Sequence, residues 1–123
     1  NTESLPQYEI AGLPEGYVEI ERKTAPGLVV VIYKNDQKEV IYFNYVFMHQ
    51  GTLSGFETRD ADVFEMQVNS HQGAYFEVRT PGGLNTLTWI DEDQNLQFAI
   101  DGCYQYDDLL RMAESISLCN PPN

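Results

Sequence analysis

Basic residues are few: seven Lys and Arg stand against nineteen Asp and Glu, a formal net charge of −12. Binding to nucleic acid depends on neutralising phosphates with Lys and Arg, so that class of partner is excluded. Docking on anionic lipid is disfavoured for the same reason. Cysteine is limited to Cys103 and Cys119 and histidine to His49 and His71. There is no C-x-x-C pair, neither histidine has an E-x-x-H companion, and each is followed by Gln, so no zinc site and no other cofactor site is expected. No apolar run reaches the roughly eighteen residues of a membrane helix, and no signal-peptide pattern opens the chain. A glycine loop that could cradle phosphate, an internal repeat and a low-complexity tract are also lacking. What remains is ordinary globular material, 123 residues of which 42% are hydrophobic and 12% aromatic. That is enough for one domain burying roughly two-thirds of its unfolded surface without metal or disulfide staples.

Residues 1–16 carry prolines and glycines without a period and read as an irregular leader. Leu13-Pro14-Glu15-Gly16 is a turn that launches the first strand. Short runs rich in Val, Ile, Tyr and Phe then alternate with turn residues, which predicts strands at 17–23, 28–34, 39–47, 62–68, 74–80, 85–91 and 96–101. Residues 48–61 form the longest unpatterned connection. The period changes in residues 106–117, where Leu109, Leu110, Ala113 and Ile116 mark one helical face, with Asp107 and Asp108 in the first turn. Asn120-Pro121-Pro122 forbids continuation, and residues 118–123 are a tail. The predicted fold is a two-layer α+β domain over residues 17–117: an antiparallel meander of about seven strands with one C-terminal amphipathic helix on one face.

Most strands alternate cleanly. Val18 and Ile20, Phe64, Met66 and Val68, Phe76 and Val78, Leu87 and Trp89, and Leu96, Phe98 and Ile100 recur at period two among polar neighbours. Trp89 on that face reads as a core anchor. The segments 28–33 and 40–47 are apolar on both faces, so they are central and have a second face that something covers or binds. Val29, Val31 and Tyr33, with Tyr42 and Val46 beside them, form the candidate interaction face. The competing expectation is that leader residues Leu5, Tyr8, Ile10 and Leu13, or residues 48–61, simply fold over it.

Several segments together resemble one family. Leu13-Pro14-Glu15-Gly16-Tyr17 is similar to the opening "LPEGY" of the bacterial domain of unknown function 4367. Val68-Asn69-Ser70-His71-Gln72-Gly73 resembles its "I-N-G-H-E" hairpin. Leu87-Thr88-Trp89 with Phe98-Ala99-Ile100-Asp101-Gly102 resembles its "L-x-W … Y-x-I-x-G" strands. Asp108-Leu109-Leu110-Arg111-Met112-Ala113-Glu114-Ser115-Ile116 resembles its closing "E-L-L-K-I-A-E-S-I" helix. Three positions depart from the pattern: Ser70 replaces the turn glycine, Gln105 a Ser or Thr helix cap, and Glu92-Asp93 a glycine-rich turn. The resemblance implies the outward-facing C-terminal domain of single-pass membrane proteins or lipoproteins of Gram-positive bacteria, some of them anti-sigma-factor-like. On that reading residues 1–16 lead from an omitted N-terminal anchor. The resemblance carries over no catalytic residue.

Other chemistry is poorly supported. Ser54 lacks a G-x-S-x-G context and His49 lies in the same connection, so a Ser-His-Asp hydrolase has no frame. Asp91-Glu92-Asp93-Gln94-Asn95 imitates the start of a calcium loop, but Leu96 stands at the required glycine and Gly102 at the bidentate glutamate. His71 reads as a hairpin-tip residue. The expected function is therefore a non-enzymatic, extracytoplasmic sensory or interaction domain of a membrane-anchored protein, binding a protein, peptide or cell-envelope component. The alternative is a small-molecule or lipid carrier with a pocket between sheet and helix.

Two local expectations follow. About twelve helical residues between Cys103 and Cys119 span roughly 18 Å, too far for a disulfide, which tolerates about 7 Å between Cα atoms. The hairpin at Asn69 should carry a three-residue loop or a bulge, because that register keeps Phe64 and Phe76 on one face.

Overall fold

The strand-forming runs pair into one antiparallel sheet, described by a computed structural model over residues 5–48 and 61–119. Its seven strands are β2 (Val18–Ala25), β3 (Leu28–Lys34), β4 (Val40–Phe47), β5 (Ala61–Val68), β6 (His71–Val78), β7 (Asn85–Asp91) and β8 (Leu96–Gly102). The order across the sheet is β2-β3-β4-β8-β7-β6-β5. It is thus two meanders, β2–β4 and β5–β8, joined where β4 pairs with β8, and not one meander in chain order. The join sets Phe43 beside Ile100 and Tyr45 beside Phe98, which places two of the most apolar strands at the centre.

The second layer holds the expected helix and one unexpected element. Helix α1 (Tyr106–Glu114) buries Leu109, Met112 and Ala113 and carries Asp107 and Asp108 in its first turn. Gln105 makes no side-chain capping bond. The helix is shorter than its periodicity suggested. Ser115 ends it by donating its hydroxyl to Met112 O (2.7 Å) while accepting the Gly12 N–H (2.8 Å). The chain then enters β9 (Ile116–Leu118), which pairs antiparallel with β1 (Tyr8–Ile10) from the leader. A leader full of turn residues is thus partly strand, because a partner far along the sequence satisfies its backbone.

The β1–β9 ribbon and α1 cover the same face of the sheet. Tyr8 and Ile10 join Val29, Val31, Tyr33, Ile41, Phe43, Tyr45, Leu87, Trp89, Phe98, Ile100 and Leu109 in one core. Trp89 stacks on Phe98 with centroids 5.2 Å apart, as a core anchor should. Two tyrosine hydroxyls reach up from the sheet to the ribbon. Tyr45 accepts the Tyr8 N–H (2.9 Å) and donates to Pro6 O (2.7 Å), while Tyr33 accepts the Ile10 N–H (3.1 Å). Burial of these rings holds both phenols above their usual pKa, so both remain neutral donors and acceptors. Arg22 straps the outside, its guanidinium donating to both Glu19 carboxylate oxygens, Gln7 Oε1 and Tyr8 O.

Two expectations about registers fail. Asn69 and Ser70 form a plain two-residue turn, both at positive φ (49° and 71°), so Val68 pairs with His71 and Phe64 with Tyr75. Phe64 and Phe76 therefore lie on opposite faces. Strand β6 is apolar on both sides, and its core residue is Tyr75 rather than Phe76. In β2 a bulge between Glu19 and Glu21 turns Arg22 toward the core side and leaves Val18 and Ile20 exposed. The two cysteines are free thiols, as their separation required.

Candidate functional site

Pairing divides the sequence-derived interaction face in two. Val29, Val31 and Tyr33 sit opposite Tyr45, Phe43 and Ile41 and are fully buried beneath the ribbon. They are ordinary core, covered by the leader residues named as the competing occupant. Tyr42 and Val46 pair with Ile32 and Leu28 on the opposite face, and both are about a third exposed, at 37% and 36%. The error was one of phase. Both faces of β3 are apolar, so alternation alone could not say which set, Val29-Val31-Tyr33 or Leu28-Val30-Ile32, faces the covering layer.

The face away from α1 and the ribbon carries Leu28, Val30, Ile32, Tyr42 and Val46 on β3 and β4. Among these, Leu28, Tyr42 and Val46 are exposed and Val30 and Ile32 half-buried. Lys23 and Glu21 border the patch from β2, with Nζ and Oε2 3.4 Å apart. Further across, the face becomes polar and tightly bonded. Gln97 Nε2 donates to Thr88 Oγ1 (3.3 Å), which donates to Phe98 O (2.7 Å). Thr86 donates its hydroxyl to Asp101, whose carboxyl is held above the usual range by burial, against the lowering effect of that bond.

At the end of the apolar patch lies a cleft of about 520 Å³. Tyr17, Tyr42 and Tyr104 wall it, with Glu39, Lys38 and Cys103 among its other lining residues. Each wall is built by local structure. Gly16 at φ 92° closes the turn from Pro14 O to the Tyr17 N–H and so aims Tyr17 at the cleft. Asn85 is buried; its Nδ2 donates to Tyr104 O (2.7 Å) and its Oδ1 accepts the Val78 N–H (3.0 Å). The Tyr104 hydroxyl donates to the Tyr17 hydroxyl (3.0 Å), and the two rings stand 6.3 Å apart at 61°. Burial, that bond and the nearby Glu39 charge raise the Tyr17 phenol well above its ordinary value. Glu39 is itself placed by the β3–β4 turn, where Asn35 Oδ1 accepts the Glu39 N–H and Asn35 Nδ2 donates to Glu39 Oε1 (2.8 Å). Sequence reading missed this cleft because its residues come from four separate connections and strand ends.

The remaining candidates have structural roles. Asp91 Oδ1 accepts the N–H groups of Asp93 and Gln94, and its Oδ2 accepts from Gln94 Nε2. The acidic run thus folds its own turn. His71 opens β6 with Nδ1 3.9 Å from Glu92 Oε1. His49 and Ser54 lie outside the described residues. Among the described residues no three His, Cys, Asp or Glu side chains gather as a metal site, and no helix is long and apolar enough to cross a membrane.

No curated protein and no solved structure matches this chain. A family profile does, over residues 7–116, from the ribbon strand β1 to the first residue of β9. The chain belongs to the domain of unknown function family DUF4367.

Proposed function

We propose that this domain works by binding rather than by chemistry, and that it docks a basic protein or peptide on the apolar patch of β3 and β4. The observation that carries this reading is the contrast between the faces. One is sealed by α1 and the ribbon, while the other, buried at Thr88, Gln97 and Ala99, leaves Leu28, Tyr42 and Val46 exposed in a patch on β3 and β4. Apolar residues of this kind form interface centres. The net charge of −12 opposes a second copy on the same surface and favours a cationic partner, whose approach it accelerates. The resemblance described above supports placing the domain outside the cytoplasm, on a membrane-anchored and regulatory parent protein. Fusing a topology reporter to the full-length gene product tests that placement, and a cytoplasmic signal refutes it.

The docking reading is tested with three amphipathic peptides of equal apolar content and net charge about +6, 0 and −6, titrated while backbone amide NMR shifts are followed. Expected are shifts confined to β3 and β4 with the cationic peptide alone, weakening with salt and lost in Val46→Ser. Charge-independent shifts overturn the reading. So does dimerisation through the patch, or contacts from residues 49–60 that already cover Val46.

A further inference from the structure

The cleft beyond the patch has a chemistry of its own. Tyr17, Tyr42 and Tyr104 line its walls, Tyr17 almost wholly buried, and the Tyr17 and Tyr104 rings meet edge to face at 61°. An edge-to-face pair, unlike a stacked one, leaves ring face uncovered, and ring faces carry partial negative charge. The Tyr17–Tyr104 hydroxyl bond fixes their mutual setting before any ligand arrives. Glu39, held by Asn35, supplies a full negative charge at the same opening, close enough to act on the Tyr17 phenol. Tyrosine rings lining an opening with one carboxylate form the arrangement that receives a bulky, weakly hydrated cation. The cleft, at about 520 Å³, is within the range of small-molecule sites.

We infer that this cleft binds an alkylated ammonium group, with Tyr17, Tyr42 and Tyr104 around the cation and Glu39 opposite its charge. Lys38 lines the same opening. Its ammonium repels a simple cation and attracts an anion carried on the same ligand, so a zwitterion of the phosphocholine type satisfies every charged group present. A strongly hydrated inorganic cation gains little here, because the tyrosine walls offer it ring faces in place of water. The inference does not rest on the protein-docking reading, although Tyr42 belongs to both surfaces.

The experiment titrates the intact chain with choline, with phosphocholine and with 3,3-dimethylbutan-1-ol, the uncharged isostere of choline, following the Tyr17, Tyr42 and Tyr104 ring signals by NMR. Choline is expected to bind at least about tenfold more tightly than the alcohol. Phosphocholine should bind more tightly still, and that last advantage should vanish in Lys38→Gln. Glu39→Gln and Tyr42→Ala, both at accessible positions, should weaken choline about fivefold or more while melting near the wild type. Equal binding of choline and the alcohol overturns the inference and leaves only an apolar cleft. Failure of choline to shift the three rings at about 50 mM overturns it too. Vesicles exposing phosphocholine headgroups separate a lipid source from a free ligand. Sedimentation with them assigns the lipid, and binding of free phosphocholine alone assigns the soluble ligand.

Discussion

Replacing Tyr45 by Phe removes a single oxygen atom and tests how the ribbon is held. The ring keeps its place among Tyr8, Phe43 and Phe98, whose centroids lie 5.3–5.4 Å away, so no cavity larger than the hydroxyl opens. What is lost is one accepted bond from the Tyr8 N–H and one donated bond to Pro6 O. The Tyr8 N–H points away from β9 and has no strand beside it to turn to, so it is left unpaired in a buried setting. An orphaned buried donor costs about 1–3 kcal/mol, and a lost ordinary hydrogen bond about 1 kcal/mol. Peeling of the leader to let water in limits the total, which we set at about 2 kcal/mol. Unfolding entropy near 2.1 cal/mol/K per residue over 123 residues converts this to a fall in Tm of about 8 °C. Thermal unfolding by circular dichroism gives the Tm, and hydrogen exchange locates the effect, with protection lost first at the Tyr8 and Ile10 amides. Tyr33→Phe should act in the same way, and the double variant should lose less than the sum, since one detached ribbon serves both. A Tyr45→Phe protein melting within about 2 °C of the wild type, its Tyr8 amide still protected, would refute the reasoning.

Ser70→Gly should stabilise by about 0.5 kcal/mol or more, because Ser70 sits at φ 71° where a side chain is strained; a lower urea midpoint would contradict the turn. Gly73→Ala should destabilise by about 3 kcal/mol, its new methyl falling 2.5 Å from Thr88 O and 3.0 Å from Trp89 Cβ; soluble expression with an unchanged Tm would count against that packing. Asp101 has its folded-state pKa raised by burial, so its contribution to stability is present below the unfolded value near about pH 4 and is lost as pH rises through the folded one. Asp101→Asn should therefore melt higher than the wild type at about pH 7 and converge with it below about pH 4. A less stable variant at neutral pH would show that the charged bond from Thr86 outweighs desolvation.

Strand positions were legible because Val, Ile, Tyr and Phe cluster between turn residues, and β3, β7 and β8 begin where that clustering begins. The helix was legible from Leu109, Leu110 and Ala113, but not its end, because Ile116 continues the helical period while serving as a strand residue. Two failures share one cause. In β3 and in β6 both faces carry plausible core residues, so pattern cannot select phase and tertiary pairing does. In β2 the alternation was clear, and the bulge between Glu19 and Glu21 overrode it. The ribbon was invisible for another reason: Tyr8 and Ile10 are too short a run to signal a strand, and their partner lies at the far end of the sequence. The cleft escaped notice because chemistry that converges from Tyr17, Glu39, Tyr42 and Tyr104 leaves no spacing to recognise.

Pairing of β1 with β9 also governs when the domain can finish folding. On the ribosome Tyr33 and Tyr45 emerge early, and so do the leader amides they will bond, yet the strand that steadies the leader emerges after all seven strands of the sheet. Every hairpin of the two meanders closes over a short stretch of chain, whereas this contact joins residues 8–10 to residues 116–118, with the loop entropy that such a separation entails. The sheet can therefore form during synthesis while its Val29-Val31-Tyr33 face stays uncovered until residues 116–118 are released. A nascent or truncated chain lacking them would display that strip of valine and tyrosine to chaperones and proteases. Quality control would thus act on any chain in which β9 has yet to be made.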